Sequence, residues 1–511
     1  MLEPCQGRRR ERMTKKITLV IPPSVFLLDE RVFMSLGILK VAAVLEHAGY
    51  RVDLIDLSGV KNYLDVVRIY ASSTDSHVFG ITTTTPQLPA ACEIAKTIRS
   101  SCDGVRVILG GPHVTLVHAA VKREKRLGLS GSPARAIRAE EKLLEHFDAL
   151  IAGDGEVAIF HALSGHSSRI IDADDPRSSL FLTNERLTAL PFPARHLIDV
   201  SSYRYTIDDE RALSLIAQLG CPFECGFCGG RQSPSLRRVR MRTSENVVGE
   251  LIELYDKYGV RGMMFYDDEL NVNREMVELM KMIRHAQEKR RVEWRLRGFI
   301  KAQLFTDEQA EAMFAAGFRW ILVGFESGSP RILENINKRS TREENTRCVE
   351  IARRHGLKVK ALMSLGHPGE SSKTVADTYN WLLEIRPDDF DVSIITTYPG
   401  TPYYDFAVPH AEIDGVWVYT YDKTGDHLFS YEIDHTAIAD YYKGIPGEYR
   451  AYVYTDHLSA EELVRLRDQV ESDVRSRLGI PFNPSTPSIL YEHTMGQQSP
   501  LPPSILRKTR S

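Results

Sequence analysis

The sequence predicts an α/β protein. It reads as an N-terminal Rossmann- or flavodoxin-like doubly wound parallel sheet, then a partial (β/α)6 TIM-type barrel, then a small α-rich C-terminal domain. Three observations predict this. Short apolar runs alternate with amphipathic helical stretches over residues 16–165. A second strand–helix series runs over residues 206–402. After residue 402 the alternation stops and tyrosines crowd the chain. Alternation of this kind builds parallel sheets covered by helices, and 511 residues suffice for two or three such domains.

The first series comprises ITLVIP (17–22), VDLIDL (52–57), VFGITT (78–83), VRVILGG (105–111) and ALIAGDG (149–155). Helical stretches such as LGILKVAAVLEHAGY (36–50) and LPAACEIAKTIRS (88–100) separate them. Ligands of such sheets sit beyond the carboxyl ends of the strands, where PPSV (22–25), TTTTP (82–86), GGPH (110–113) and GDGE (153–156) supply close backbone approach and small hydroxyls. Residues 122–138 are basic and read as a surface insertion, and residues 166–205 as a linker.

The second series runs through 212–220, 262–270, 292–300, 320–328, 358–366 and 391–400. Ser244 is the expected cap of a helix over 245–259, and Thr306 with Gln309 forms a capping box. Six strands with crossover helices fit a partial barrel whose site lies at the strand ends. In the C-terminal domain (403–480), residues 417–458 hold Tyr419, Tyr421, Tyr431, Tyr441, Tyr442, Tyr449, Tyr452 and Tyr454, and Ser459 with Glu462 boxes a final helix. Residues 1–15 read as a tail, with Met13 an alternative start, and residues 481–511 as a flexible tail rich in Pro and Ser.

Composition narrows the function. A formal charge of −3 gives no general argument for nucleic acid or membrane. No apolar run approaches the ~20 residues that span a bilayer, and no signal-type apolar region follows the basic N-terminus. Seven cysteines without a framework of spaced pairs suit reduced thiols and a cytoplasmic location.

Three of those cysteines, Cys221, Cys225 and Cys228, lie in GCPFECGFCGG (220–230). A closed zinc site wants four ligands, and no histidine lies near. A four-iron–four-sulfur cluster can be held by three thiolates with one iron left open. Phe227 and glycines 220, 226, 229 and 230 suit a tight loop around such a cluster.

C-x3-C-x2-C with an aromatic before the third cysteine resembles the radical S-adenosylmethionine (SAM) superfamily. The resemblance implies that Cys221, Cys225 and Cys228 hold a 4Fe-4S cluster whose open iron binds SAM, which an external electron donor of flavodoxin or ferredoxin type helps to cleave. YDDELNVNRE (266–275) and GFESGS (324–329) match further segments, with Leu270 in place of Phe. They imply SAM contacts from Phe227, Asp267, Asp268, Glu269, Glu326 and Ser327, and from Arg295 or Arg297 on the intervening strand. Arg231, His367 and Tyr398 are candidates for substrate contact. The arginine run 231–242 offers an anion site or a solvated face.

The first domain resembles the cobalamin-binding domain that precedes the radical SAM core in a large subfamily. On that resemblance Pro23, Leu36, Gly37, Thr82, Thr83, Thr84, Thr85, Gly110, Gly111, His113, Gly153, Gly155 and Glu156 lie against the corrin. The DxHxxG signature of a lower cobalt ligand is absent, and His113 is expected to pack or hydrogen-bond near the corrin. Methylthiotransferases carry three N-terminal cluster cysteines, and here that domain holds only Cys92 and Cys102. The pair of cofactors implies a monomeric methyltransferase acting on an unactivated carbon, or a phosphorus, of a small biosynthetic intermediate. Ring closure, contraction or oxidation is the alternative, and a non-catalytic corrinoid sensor a third reading.

Overall fold

The computed structural model describes residues 15–24, 30–131, 134–164, 168–441, 449–481 and 501–509. The N-terminal tail with Met13, Val25 of the first loop, and Tyr442 lie outside the described residues. The N-terminal sheet is built from β1 (Lys16–Ile21), β2 (Arg51–Asp56), β3 (Val78–Thr82), β4 (Arg106–Gly110), β5 (Ala149–Gly153) and β6 (Ile170–Ala173). All six run parallel, in the order β2-β1-β3-β4-β5-β6. Strand residues alternate between two apolar cores. Ile17, Leu19, Leu54 and Ile108 enter one, while Val20, Ile55, Phe79 and Val107 enter the other. That two-sided burial is why the strands read as continuous apolar runs. The order reverses between β1 and β3, which opens a crevice at their carboxyl ends.

The second sheet starts with a hairpin, β7 (Thr206–Ile207) and β8 (Glu210–Leu215). A two-residue ladder of β9 (Gln218–Leu219) and β10 (Arg240–Met241) follows. Next come β11 (Gly262–Phe265), β12 (Arg295–Phe299), β13 (Phe318–Glu326), β14 (Lys358–Leu365) and β15 (Asp389–Ile394). β8 and β11–β15 are parallel neighbours in sequence order, the expected six-stranded half-barrel. The capping boxes at Thr306–Gln309 and Ser459–Glu462 form as expected. The helix Ser244–Tyr258 is instead capped by Thr243, one residue before the expected Ser244. Among the described residues no helix is long and apolar enough to cross a membrane.

Four expectations are corrected. Residues 166–205 are more than a linker, because they carry β6, whose four residues were too short to show a pattern. Residues 122–138 are no insertion: they end the helix Pro112–Arg126 and begin Arg135–His146, and the Arg135 guanidinium is clamped between the rings of Tyr404 and Trp417, 3.7 Å from each. The C-terminal segment has one long helix, Ala460–Leu478, but also an antiparallel sheet of β16 (Val408–Pro409), β17 (Val416–Thr420), β18 (His427–Tyr431) and β19 (Val453–Thr455), with Tyr419, Tyr431 and Tyr454 on its strands. The end of the tail is ordered: β20 (Leu506–Lys508) pairs antiparallel with β2, and Leu501 and Ile505 are buried in the N-terminal core. Arg31 fastens it, donating to Ser504, Asp56 and Ser58 carbonyls and to the Ser202 hydroxyl.

Candidate active site

The three cysteines lie on the loop between β9 and β10, so the two-residue ladder closes its neck. Carboxylates just after β11 reinforce the neck. Asp267 accepts the amides of Ala217 (3.0 Å) and Gln218, and Asp268 accepts the amide of Gly220 at 2.9 Å. The loop's far side is pinned by Gly226, whose amide donates to Ile336 O and whose carbonyl accepts from Tyr403 N. A Cβ on Gly226 would stand 2.6 Å from Tyr403 Cε1, so only glycine permits this approach. Burial pushes the Cys221 thiol up to about 11 and raises Cys225 as well, while Lys338 and Lys301 pull Cys225 the other way. Among the described residues no His, Cys, Asp and Glu trio converges on a single metal ion. Three soft sulfurs spread over one loop, beside two ammonium groups, fit a polynuclear iron–sulfur centre with a net negative charge.

Behind this loop runs a buried polar chain. A register shift at the end of β13 puts Glu326 at φ 66°. Its carboxylate pairs with Lys338 Nζ at 2.7 Å and accepts from Ser364 Oγ at 2.8 Å. Ser364 Oγ lies 2.8 Å from His367 Nε2, and His367 Nδ1 3.3 Å from the Tyr403 hydroxyl. Burial drops His367 to about 4, so its imidazole is neutral at neutral pH. Burial alone would raise the Glu326 carboxyl, yet Lys338, Ser364 and their bonds hold it below the usual range.

Facing the cysteine loop is a cavity of about 630 Å³. One wall is the carboxyl edge of the N-terminal sheet, with Thr82, Thr84, Gly110, Gly111, Gly153, Gly155 and Glu156, plus Leu36 and Gly37 of the first helix. The other wall is the barrel rim, with Ile216, Leu219, Leu236 and Tyr266. Arg240 at the neck of the cysteine loop pairs with Asp154 on the sheet side, tying the walls together. No histidine lines this cavity among the described residues. Flat apolar walls with exposed backbone at a topological switch point suit a large planar cofactor such as a corrin.

Residues 215–382 match the radical SAM superfamily, and residues 30–131 match the B12 binding domain. An uncharacterised methyltransferase of Pyrococcus horikoshii is 28% identical over 404 residues, covering 77% of this chain and 83% of its own. The anaerobic magnesium-protoporphyrin IX monomethyl ester cyclase of Rubrivivax gelatinosus is 23% identical over 384 residues, covering 70% of this chain and 63% of its own. The methyltransferase TsrM of Kitasatospora setae, solved with cobalamin and a [4Fe-4S] cluster, superposes with a TM-score of 0.60 at 18% identity over 80% of this chain and 81% of its own. The chain is a cobalamin-dependent radical SAM enzyme.

As such an enzyme it carries a 4Fe-4S cluster, SAM and cobalamin, and several expected contacts shift. Thr83 and Thr85 alternate away from the cavity that Thr82 and Thr84 line. Pro23 is buried outside it. The His113 ring sits on the far side, 3.0 Å from Thr85 Oγ1 and 5.9 Å from the His435 ring, as a packing histidine. Of the acidic trio, Asp267 and Asp268 are spent on the neck, while the Glu269 carboxylate makes no hydrogen bond among the described residues. Ser327 is buried against Thr378 and Ser329. Arg295 starts β12, at the opposite end from the cluster, beside Glu293. His367 is fully buried, its ring edge-on to Phe227 at 5.3 Å.

Tyr398 packs with His435 and Tyr441. Arg231 lies 3.6 Å from Glu224, a carboxylate inside the cysteine loop that Arg237 and Arg339 also approach. The rest of the arginine run is structural, with Arg242 on buried Glu250 and Arg240 on Asp154. Two residues were missed. Lys301, 2% exposed, holds its ammonium 4.2 Å over the Phe223 ring of the cysteine loop. Its place directly after the third parallel barrel strand was a readable signal. Lys338 had none, because the turn that aims it has Asn337 and Arg339 at positive φ.

Proposed function

We propose that this enzyme transfers a methyl group from SAM by way of cobalamin to an unactivated carbon, or a phosphorus, of a small biosynthetic intermediate. The cavity shared by the two domains supports the reading, because it lies between the carboxyl edge of the N-terminal sheet and the barrel rim at the neck of the cysteine loop. When bound, the cluster and cobalamin would supply one-electron cleavage of SAM and a methyl carrier. Cys221, Cys225 and Cys228 would hold the cluster, with an external donor of flavodoxin or ferredoxin type reducing it and the enzyme working as a monomer.

The chain's own groups set the stage. Asp267 and Asp268 fix the neck of the cysteine loop, and Tyr403 backs Gly226, so the thiols are preorganised. Glu269 would accept the SAM ammonium, and the ammonium of Lys301 would meet its carboxylate, both charge-assisted contacts. Lys338 is committed to Glu326. Leu36, Gly37, Thr82, Thr84, Gly110, Gly111, Gly153, Gly155 and Glu156 would cradle the corrin. Anaerobic turnover with deuterated-methyl SAM tests the proposal. Labelled product with S-adenosylhomocysteine and 5′-deoxyadenosine is expected, and 5′-deoxyadenosine without methyl transfer would exclude it.

A further inference from the structure

The barrel-side wall of the shared cavity continues into a file of aromatic rings. Four aromatic rings form a continuous file: Tyr205–Phe33 at 4.7 Å, Phe33–Tyr266 at 5.1 Å and Tyr266–Phe299 at 6.0 Å. Tyr266 follows β11 at the barrel rim, lines the shared cavity and is 46% exposed. Large aromatic faces held open to a cleft favour ring stacking.

Below this file the barrel interior carries an unbalanced charge. Met264, Arg297 and Trp320 are lateral neighbours on β11, β12 and β13. The Arg297 guanidinium lies 5.5 Å over the Trp320 ring, and its Nε is buried without a hydrogen-bond partner. Arg319 of β13 lies over the Phe314 ring and donates to backbone carbonyls, and the two lysines of β14 are ion-paired. Lys360 lies 2.8 Å from both Asp389 and Asp391, and Lys358 lies 3.1 Å from Asp208. Arg297 has no carboxylate partner among the described residues, and the cations that act on the Cys225 thiol are Lys338 and Lys301. The Tyr205 hydroxyl also faces this guanidinium, and with the SAM carboxylate proposed to lie on Lys301 the Arg297 charge is left for a second ligand.

We infer that the substrate is a planar aromatic molecule with a single carboxylate, its ring against Tyr266 and its carboxylate on Arg297. One spare positive charge balances one negative charge, whereas a dianionic phosphate would leave a charge unmatched in the barrel. The inference rests on the proposed methyl transfer at the cavity shared by the two domains.

The test is calorimetric titration of the full chain, reconstituted anaerobically with cluster and cobalamin. The probes are indole-3-propionate, its neutral amide, hexanoate and phenylphosphonate. Indole-3-propionate should bind about tenfold or more tighter than each of the others. Arg297→Gln should erase the preference over the amide, Arg297→Lys should keep part of it, and Tyr266→Ala should erase the preference over hexanoate. Equal binding of acid and amide, tighter binding of phenylphosphonate, or binding of none of the four overturns the inference. If Arg297→Gln does not fold, the wild-type preferences and Arg297→Lys decide. These affinities do not depend on turnover: failed methyl transfer with the preferences intact would sink the function proposal alone, and methyl transfer without them would sink this one.

Discussion

Replacing Gly226 by alanine probes how the cysteine loop is held. The added methyl would stand 2.6 Å from Tyr403 Cε1, 3.1 Å from Cζ and 3.3 Å from Cδ1, where ordinary contact begins at 3.4 Å. Ring or loop must therefore give by about 0.8 Å. The ring has little freedom, being 1% exposed, edge-packed on His367 and tilted against Tyr419 at 4.8 Å. Overpacking of this kind costs about 1–3 kcal/mol. Because Gly226 is hydrogen-bonded at both amide and carbonyl, the strain falls on Cys225 and Cys228. Gly226→Ala should lower the melting temperature by several degrees and reduce the iron and sulfide retained after anaerobic reconstitution. Gly229→Ala, whose methyl would meet the flexible end of Leu116 at 3.0 Å, should do much less. Tyr403→Leu should restore iron content to Gly226→Ala, with a coupling of about 1 kcal/mol or more. Full cluster retention in Gly226→Ala, or additivity with Tyr403→Leu, would refute the reasoning.

Other consequences are as direct. Burial would lower His118, but Asp172 and Glu140 raise it to about 9 from 6.5. A raised histidine stabilises fully below 6.5 and is lost as pH rises through 9, so stability should fall by up to about 3 kcal/mol across that window, and His118→Gln should flatten the curve in chemical denaturation. Arg240→Met leaves the half-buried Asp154 without its ion-pair partner, which should cost about 1–3 kcal/mol and speed cobalamin loss on gel filtration; a corrin held as in wild type would contradict it. Deleting residues 501–511 removes β20 with buried Leu501 and Ile505, so about 3–5 kcal/mol of stability should be lost and proteases should open the N-terminal sheet first.

Long repeating elements were legible because their signals repeat. β1 to β5 each bury apolar residues on both faces, and the barrel strands recur at even spacing. The cysteine triplet carried its own chemistry. β6 and β20 were illegible because strands of four and three residues are decided by the neighbour that accepts them. Within the site, the sequence offered residue types, and the fold decides which of neighbouring residues of one type faces the cavity. The acidic turn was found, yet only the fold separates Glu269, which is left over, from Asp267 and Asp268, which bond to the neck. Thr82 and Thr84 differ from Thr83 and Thr85 only by the side of the chain they occupy. Lys338 depended on a turn that no local pattern announces.

The partner of β2 lies far downstream of it, at Leu506–Lys508. Through most of synthesis the edge at Asp53–Ile55 has no strand to accept, and Arg31 lacks the Ser504 carbonyl. An emerging chain therefore exposes an open sheet edge next to the loop that lines the cofactor cavity, a hazard for wrong pairing. Chains stalled or clipped before residue 501 should then be recognisable to the cell as unfinished, because the first domain is not sealed until residues 501–508 have been made.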